Sequence, residues 1–119
     1  MPKVVVLYNL KDSASKEEYE NWCKSFKGPF FISLGPCKAY TILKFSEGQM
    51  GDGSQHKLPQ IMDRLPFQYM GIIEIEDVNK WNEITESTDF KEKFFIEWFQ
   101  KWVGEFWLIL ADEIFEAHK

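Results

Sequence analysis

Met70-Gly71-Ile72-Ile73-Glu74-Ile75 is apolar on both faces of an extended chain. A half-buried antiparallel strand alternates apolar and polar side chains, because successive residues point to opposite sides of the sheet. Val4-Val5-Val6-Leu7 and Phe106-Trp107-Leu108-Ile109-Leu110-Ala111 break the alternation in the same way. A strand of this kind needs cover on both faces. The segments between these strands supply helices for one face only, and a chain of 119 residues has nothing left for the other. A second copy of the same sheet is the economical cover. The sequence therefore predicts an obligate homodimer, packed sheet against sheet.

Working outward, residues 3–9 form a first strand. Ser15-Lys16-Glu17-Glu18 is a capping box that opens a helix. Tyr19, Trp22, Cys23 and Phe26 give that helix an apolar stripe, and Gly28-Pro29 is expected to end it. Pro36 opens a second strand over residues 38–45, and a third runs over residues 67–76. Asp77 caps a short helix carrying Val78, Trp81 and Ile84. Ser87-Thr88-Asp89 breaks and restarts it, and Phe90, Phe94, Trp98 and Trp102 then recur every fourth residue, with Phe95 and Phe99 widening the stripe. Gly104 reads as the helix C-cap before a last strand at 105–111. The order βαββαβ is that of the α+β, ferredoxin-like split βαβ fold: one domain over residues 1–119, with an antiparallel four-stranded sheet and both helices on one face. Residues 46–66 are the only irregular stretch, either a lid over a site or a disordered segment.

Aromatic residues make up 17% of the chain, with eleven Phe and five Trp. That excess fits an aromatic-rich core, a large dimer interface or an aromatic ligand pocket. A net charge of −5 and a pI near 5.0 argue against a nucleic-acid surface, which needs clustered Lys and Arg. Cys23 and Cys37 have no metal-ligand spacing and are too few for a disulfide scaffold. His56 lies in the polar loop and His118 is penultimate, so neither has convergent partners for a metal. No phosphate-binding glycine loop or dinucleotide fingerprint is present. No apolar run approaches the ~20 residues of a membrane span, and the opening lacks a secretory leader. A cytoplasmic protein without cofactor is expected.

VVVLYNLK (residues 4–11), QYMGIIEIEDVNKW (68–81) and STDF (87–90) resemble the dimeric α/β-barrel superfamily. The YNLK opening and the QY…IEI.DV block are most similar to the REDY-like family of HapK-type proteins from prodigiosin-like pigment clusters. The resemblance implies a dimeric α/β barrel and a ligand held between sheet and helices. Aligning the strand starts puts Val5, Leu7 and Asn9 on the pocket side of the first strand, with Tyr69, Gly71, Ile73 and Ile75 from the third. Trp22, Phe26, Trp81, Phe90, Phe94 and Trp98 would close the pocket. Asn9 either anchors a ligand oxygen or terminates its strand through turn hydrogen bonds. Tyr69 is either a donor to the ligand or a core tyrosine. Glu74, of opposite parity, is expected at the dimer contact.

The haem-degrading relatives carry an iron-ligand His where Phe94 stands here. The polyketide-cyclase relatives use a Tyr and a His where Ile84 and Phe90 stand. These departures argue against haem, metal and His-assisted cyclisation. The function implied is a small-molecule-binding accessory protein of secondary metabolism, holding a flat, bipyrrole-like intermediate. The alternative is a cofactor-independent monooxygenase or cyclase-like enzyme acting on an aromatic substrate.

Overall fold

The computed structural model describes residues 1–45 and 67–119. The expected lid at 46–66, with His56, lies outside the described residues. The elements run β1 (Lys3–Leu10), α1 (16–32), β2 (Cys37–Lys44), β3 (Tyr69–Ile75), α2 (Val78–Thr85), α3 (88–102) and β4 (Val103–Ala111). The four strands form one antiparallel sheet in the order β2-β3-β1-β4, the split βαβ arrangement.

Capping follows the sequence. Ser15 Oγ accepts the Glu18 N–H (3.3 Å), Asp77 accepts the Lys80 N–H (3.0 Å), and Ser87 Oγ accepts the Phe90 N–H (3.1 Å). Two helix ends are corrected. Gly28-Pro29 does not stop α1, which continues to Ile32. The α-helical turns Lys16–Trp22 pass into a wider π segment, Cys23–Lys27, where the Gly28 N–H donates to the Cys23 carbonyl five residues back. The chain then re-enters an α-helix with Pro29 in its first turn, where a missing N–H costs nothing. Gly104 is likewise no cap, because Val103 already has extended geometry and pairs with Leu10. The last helical carbonyl, that of Trp102, is taken by the Lys11 N–H at 2.9 Å, so no left-handed residue is needed.

Register fixes which residues share a face. Val4 stands opposite Ile73 and Leu110, and Tyr8 opposite Tyr69 and Phe106. Directly paired residues of antiparallel strands point the same way. Val4, Val6 and Tyr8 therefore face the helices, with Tyr40 and Ile42 of β2. Leu7 pairs with Met70, which places Val5, Leu7 and Asn9 on the opposite side, helix-free among the described residues. The expected parity of β1 was one residue out: a strand apolar on both faces gives no internal sign of which face turns inward. On that helix-free side Val5, Leu7, Met70 and Ile72 are only partly buried, and Leu43, Trp107 and Ile109 are exposed by 43, 47 and 46%.

Candidate functional site

Beneath the helices lies an aromatic lattice. Phe31 packs 4.8 Å from both Tyr40 and Phe94, Tyr8 stacks on Tyr69 at 5.4 Å, and Phe94 stacks on Trp98 at 5.7 Å. Each such pair adds about 0.5–1.5 kcal/mol beyond the area it buries. The lattice leaves a cavity of about 340 Å³ between sheet and helices. Its floor is Val4, Val6, Ile73, Phe106 and Tyr40 from the sheet. Trp81 comes from α2, and α3 contributes Phe90, Phe94, Phe95 and Trp98. Asn82, Thr85 and Lys91 bring polar groups to the wall, and Leu108 of β4, 64% exposed, stands at the solvent side.

The expected site residues divide by location. Ile73, Trp81, Phe90, Phe94 and Trp98 line the cavity. Trp22 and Phe26 stand behind it, Trp22 stacking on Phe94 at 6.0 Å and tilted against Phe26 at 5.5 Å. Tyr69 is buried away from the lining, and its hydroxyl donates to Glu20 Oε2 at 2.8 Å. That bond, with Lys44 3.2 Å from the same carboxylate, holds Glu20 below the ordinary carboxylate range. Leu7 and Asn9 are on the wrong face of the sheet. The Asn9 amide donates to Glu105 Oε1 (2.8 Å), and its carbonyl accepts the Gln68 N–H (2.9 Å). Asn9 thus ties β1 to β4 and to the approach of β3 through cross-strand bonds, not through the turn hydrogen bonds expected of a strand-ending Asn.

The residue missed from sequence is Lys27. It is 3% exposed and lines the cavity. Its Nζ donates to Tyr19 Oη at 2.8 Å and lies 3.4 Å from Tyr8 Oη. The Tyr19 hydroxyl donates in turn to Tyr8 (2.8 Å) and accepts from Trp98 Nε1 (3.2 Å). The ammonium position lies 4.8 to 5.9 Å from the ring centroids of Tyr8, Trp98, Tyr19, Tyr40 and Phe94. Those ring faces favour a cation. Burial opposes it, and among the described residues no carboxylate pairs with Lys27. Burial wins, pulling the amine pKa down to about 7, with a smaller opposing effect from Cys23. The same burial pushes the Cys23 thiol and the Tyr8 and Tyr19 hydroxyls up, so these remain protonated donors.

The signal for Lys27 was periodicity. Tyr19, Cys23, Lys27 and Phe31 recur every fourth residue and are all buried, but the stripe is visible only if the helix passes through Gly28-Pro29. Among the described residues no group of three or more His, Cys, Asp or Glu can hold a metal ion. No helix among them is long and apolar enough to cross a membrane.

Among solved structures, the chain is similar to HapK from Hahella chejuensis, with TM-score 0.69 and 14% identity over 100% of this chain and 98% of that one. A DABB-family protein with a ferredoxin-like fold from Mesorhizobium loti gives TM-score 0.60 and 13% identity over 95% and 96% of the two chains. A dimeric ferredoxin-like protein from Thermobifida fusca gives 0.58 and 9% over 92% and 88%. At such identities these neighbours establish the ferredoxin-like fold alone. No curated protein matches the chain. The family model for the REDY-like protein HapK matches residues 2–114, almost the whole length, and the chain belongs to this REDY-like HapK family.

Proposed function

We propose that this protein binds a flat, conjugated small molecule between sheet and helices, as an accessory protein of secondary metabolism. The observation that carries the reading is the cavity of about 340 Å³ walled by Trp81, Phe90, Phe94, Trp98 and Phe106. Its size lies in the range of small-molecule sites, and such sites are mostly apolar with a few polar groups that orient the ligand. Ring walls stack on a conjugated ligand and offer little to a sugar or phosphate. Membership of the HapK family supports a pigment-type, bipyrrole-like ligand. The polar contacts assigned to this ligand are Lys27 and the wall groups Asn82 and Thr85, in place of Asn9 and Tyr69.

The working unit in this reading is a homodimer closed over the helix-free sheet face. The apolar side chains of that face support it, as does the likeness to a dimeric ferredoxin-like protein.

Titration with 2,2′-bipyrrole followed by tryptophan fluorescence tests the site. Quenching is expected, because Trp81 and Trp98 are walls. Trp81→Ala removes one wall and weakens binding by roughly 1–3 kcal/mol, partly offset if the cavity collapses. Binding unchanged in Trp81→Ala would reduce the aromatic lining to core.

A further inference from the structure

We propose that Lys27 is a nucleophilic amine that captures an aromatic aldehyde held in the cavity as a covalent imine. The inference rests on the ligand-binding reading above and names the reactive class of ligand within it.

Three observations converge on this lysine. It is the buried cation of a cavity otherwise walled mostly by rings, and its side chain forms part of the lining. Its Nζ is held by Tyr19 Oη at 2.8 Å, as donor to an oxygen whose own proton is committed to Tyr8. Nζ also donates to Tyr8 Oη at 3.4 Å, so the two hydroxyls take the two N–H groups of the neutral amine and leave its lone pair for a third direction. Among the described residues, the titratable groups around Nζ supply no counter-charge. Cys23 and Tyr19 stand on its own helix, Tyr8 on β1 and Tyr40 on β2, all held protonated by burial. From α3 the rings of Phe94 and Trp98 face it. A neutral amine is therefore well populated near pH 7.

The chemistry balances without a co-reactant. The Nζ lone pair attacks the carbonyl carbon, forming the C–N bond as the carbonyl π pair moves to oxygen. That oxygen takes a proton, nitrogen loses one, and a carbinolamine results. Loss of the second nitrogen proton and expulsion of the hydroxyl as water complete the imine. One amine and one aldehyde give one imine and one water, with no change of oxidation state. An apolar cavity that sheds water favours the product side.

The test is reductive trapping at pH 7 with 2-naphthaldehyde and sodium cyanoborohydride, followed by intact mass and peptide mapping. 2-Methylnaphthalene serves as an unreactive competitor, and tryptophan quenching reads binding independently. One adduct per chain is expected, on Lys27, forming at least about tenfold faster than on surface lysines, which are almost wholly protonated at this pH. The adduct is lost in Lys27→Met, persists in Lys24→Met on the exposed side of the same helix, and is suppressed by the competitor. Quenching by both compounds with adducts spread over surface lysines would overturn the imine and leave the binding site standing. Absence of quenching by either compound would overturn both readings.

Discussion

Lys27 sets the pH response of the fold. Its amine titrates at about 7 in the folded protein and near 10.4 when unfolded. Between these values the unfolded chain binds more protons, so stability rises with pH across that window. The buried thiols Cys23 and Cys37 oppose this above pH ~8.5, and Tyr8, Tyr19 and Tyr69 above pH ~10, because burial raises all of them and the folded state then holds the extra protons. Guanidinium midpoints of the wild type should therefore climb between pH ~7 and ~9. Lys27→Met should be the more stable protein at pH ~7, by up to a few kcal/mol, and its midpoint should not climb over the same range. A wild type that does not gain stability there would mean the amine is charged in the fold. Asn9 belongs to the same scale with a different duty. Asn9→Ala should cost roughly 0.5–1.5 kcal/mol of stability through its lost hydrogen bonds, with bipyrrole affinity unchanged.

Among the elements, α1 was the hardest to read. Gly-Pro is a strong stop signal locally, because proline blocks the helical conformation of the residue before it and lacks a donor. Here the π turn absorbs both problems, and glycine makes it possible: a Cβ on Gly28 would sit 3.1 Å from the Cys23 carbonyl oxygen. Glycine to alanine inside a helix ordinarily adds up to ~1 kcal/mol of stability. Gly28→Ala should instead lower the thermal midpoint, since a helix carbonyl cannot easily give way; a rise would show that the turn relaxes to a plain α-helix. The α3 stripe was legible outright, and Phe90, Phe94, Trp98 and Trp102 are all buried. The π turns within α3, Lys91–Phe95 and Trp98–Trp102, left no mark in the sequence, because a spacing of four residues suits α and π turns alike.

At the scale of the whole molecule, the proposed pairing rests on the sheet face turned away from the described helices. Leu43, Trp107 and Ile109 are exposed there, and Val5, Leu7, Met70 and Ile72 only partly buried, an apolar surface of the kind that marks an interaction face. Sedimentation equilibrium at low micromolar concentration should give twice the 14.1 kDa of one chain. Leu7→Asp puts a charge in the centre of this face and should yield a folded monomer with unaltered far-ultraviolet circular dichroism. Because Leu7 points away from the cavity, the monomer should still quench with bipyrrole. A wild type that sediments as a monomer would refute sheet-to-sheet pairing.

The sequence by itself determined the order of elements, the side-chain caps at the helix starts, the antiparallel sheet and the aromatic stripe of α3. Each is written in local spacing, and local spacing is what period-two and period-3.6 geometry reads. Which face of β1 turns toward the helices was decided only by pairing with β3. Val4-Val5-Val6-Leu7 satisfies either register, and Tyr8 resolves it by packing against Tyr69 and Tyr19. The burial of Lys27 was likewise tertiary. A lysine on a stripe can reach solvent or stay inside, and the packing of α1 against β1, β2 and α3 closed off the way out. The cavity followed from the same packing, because the rings of three helices and a twisted sheet do not fill the volume they enclose.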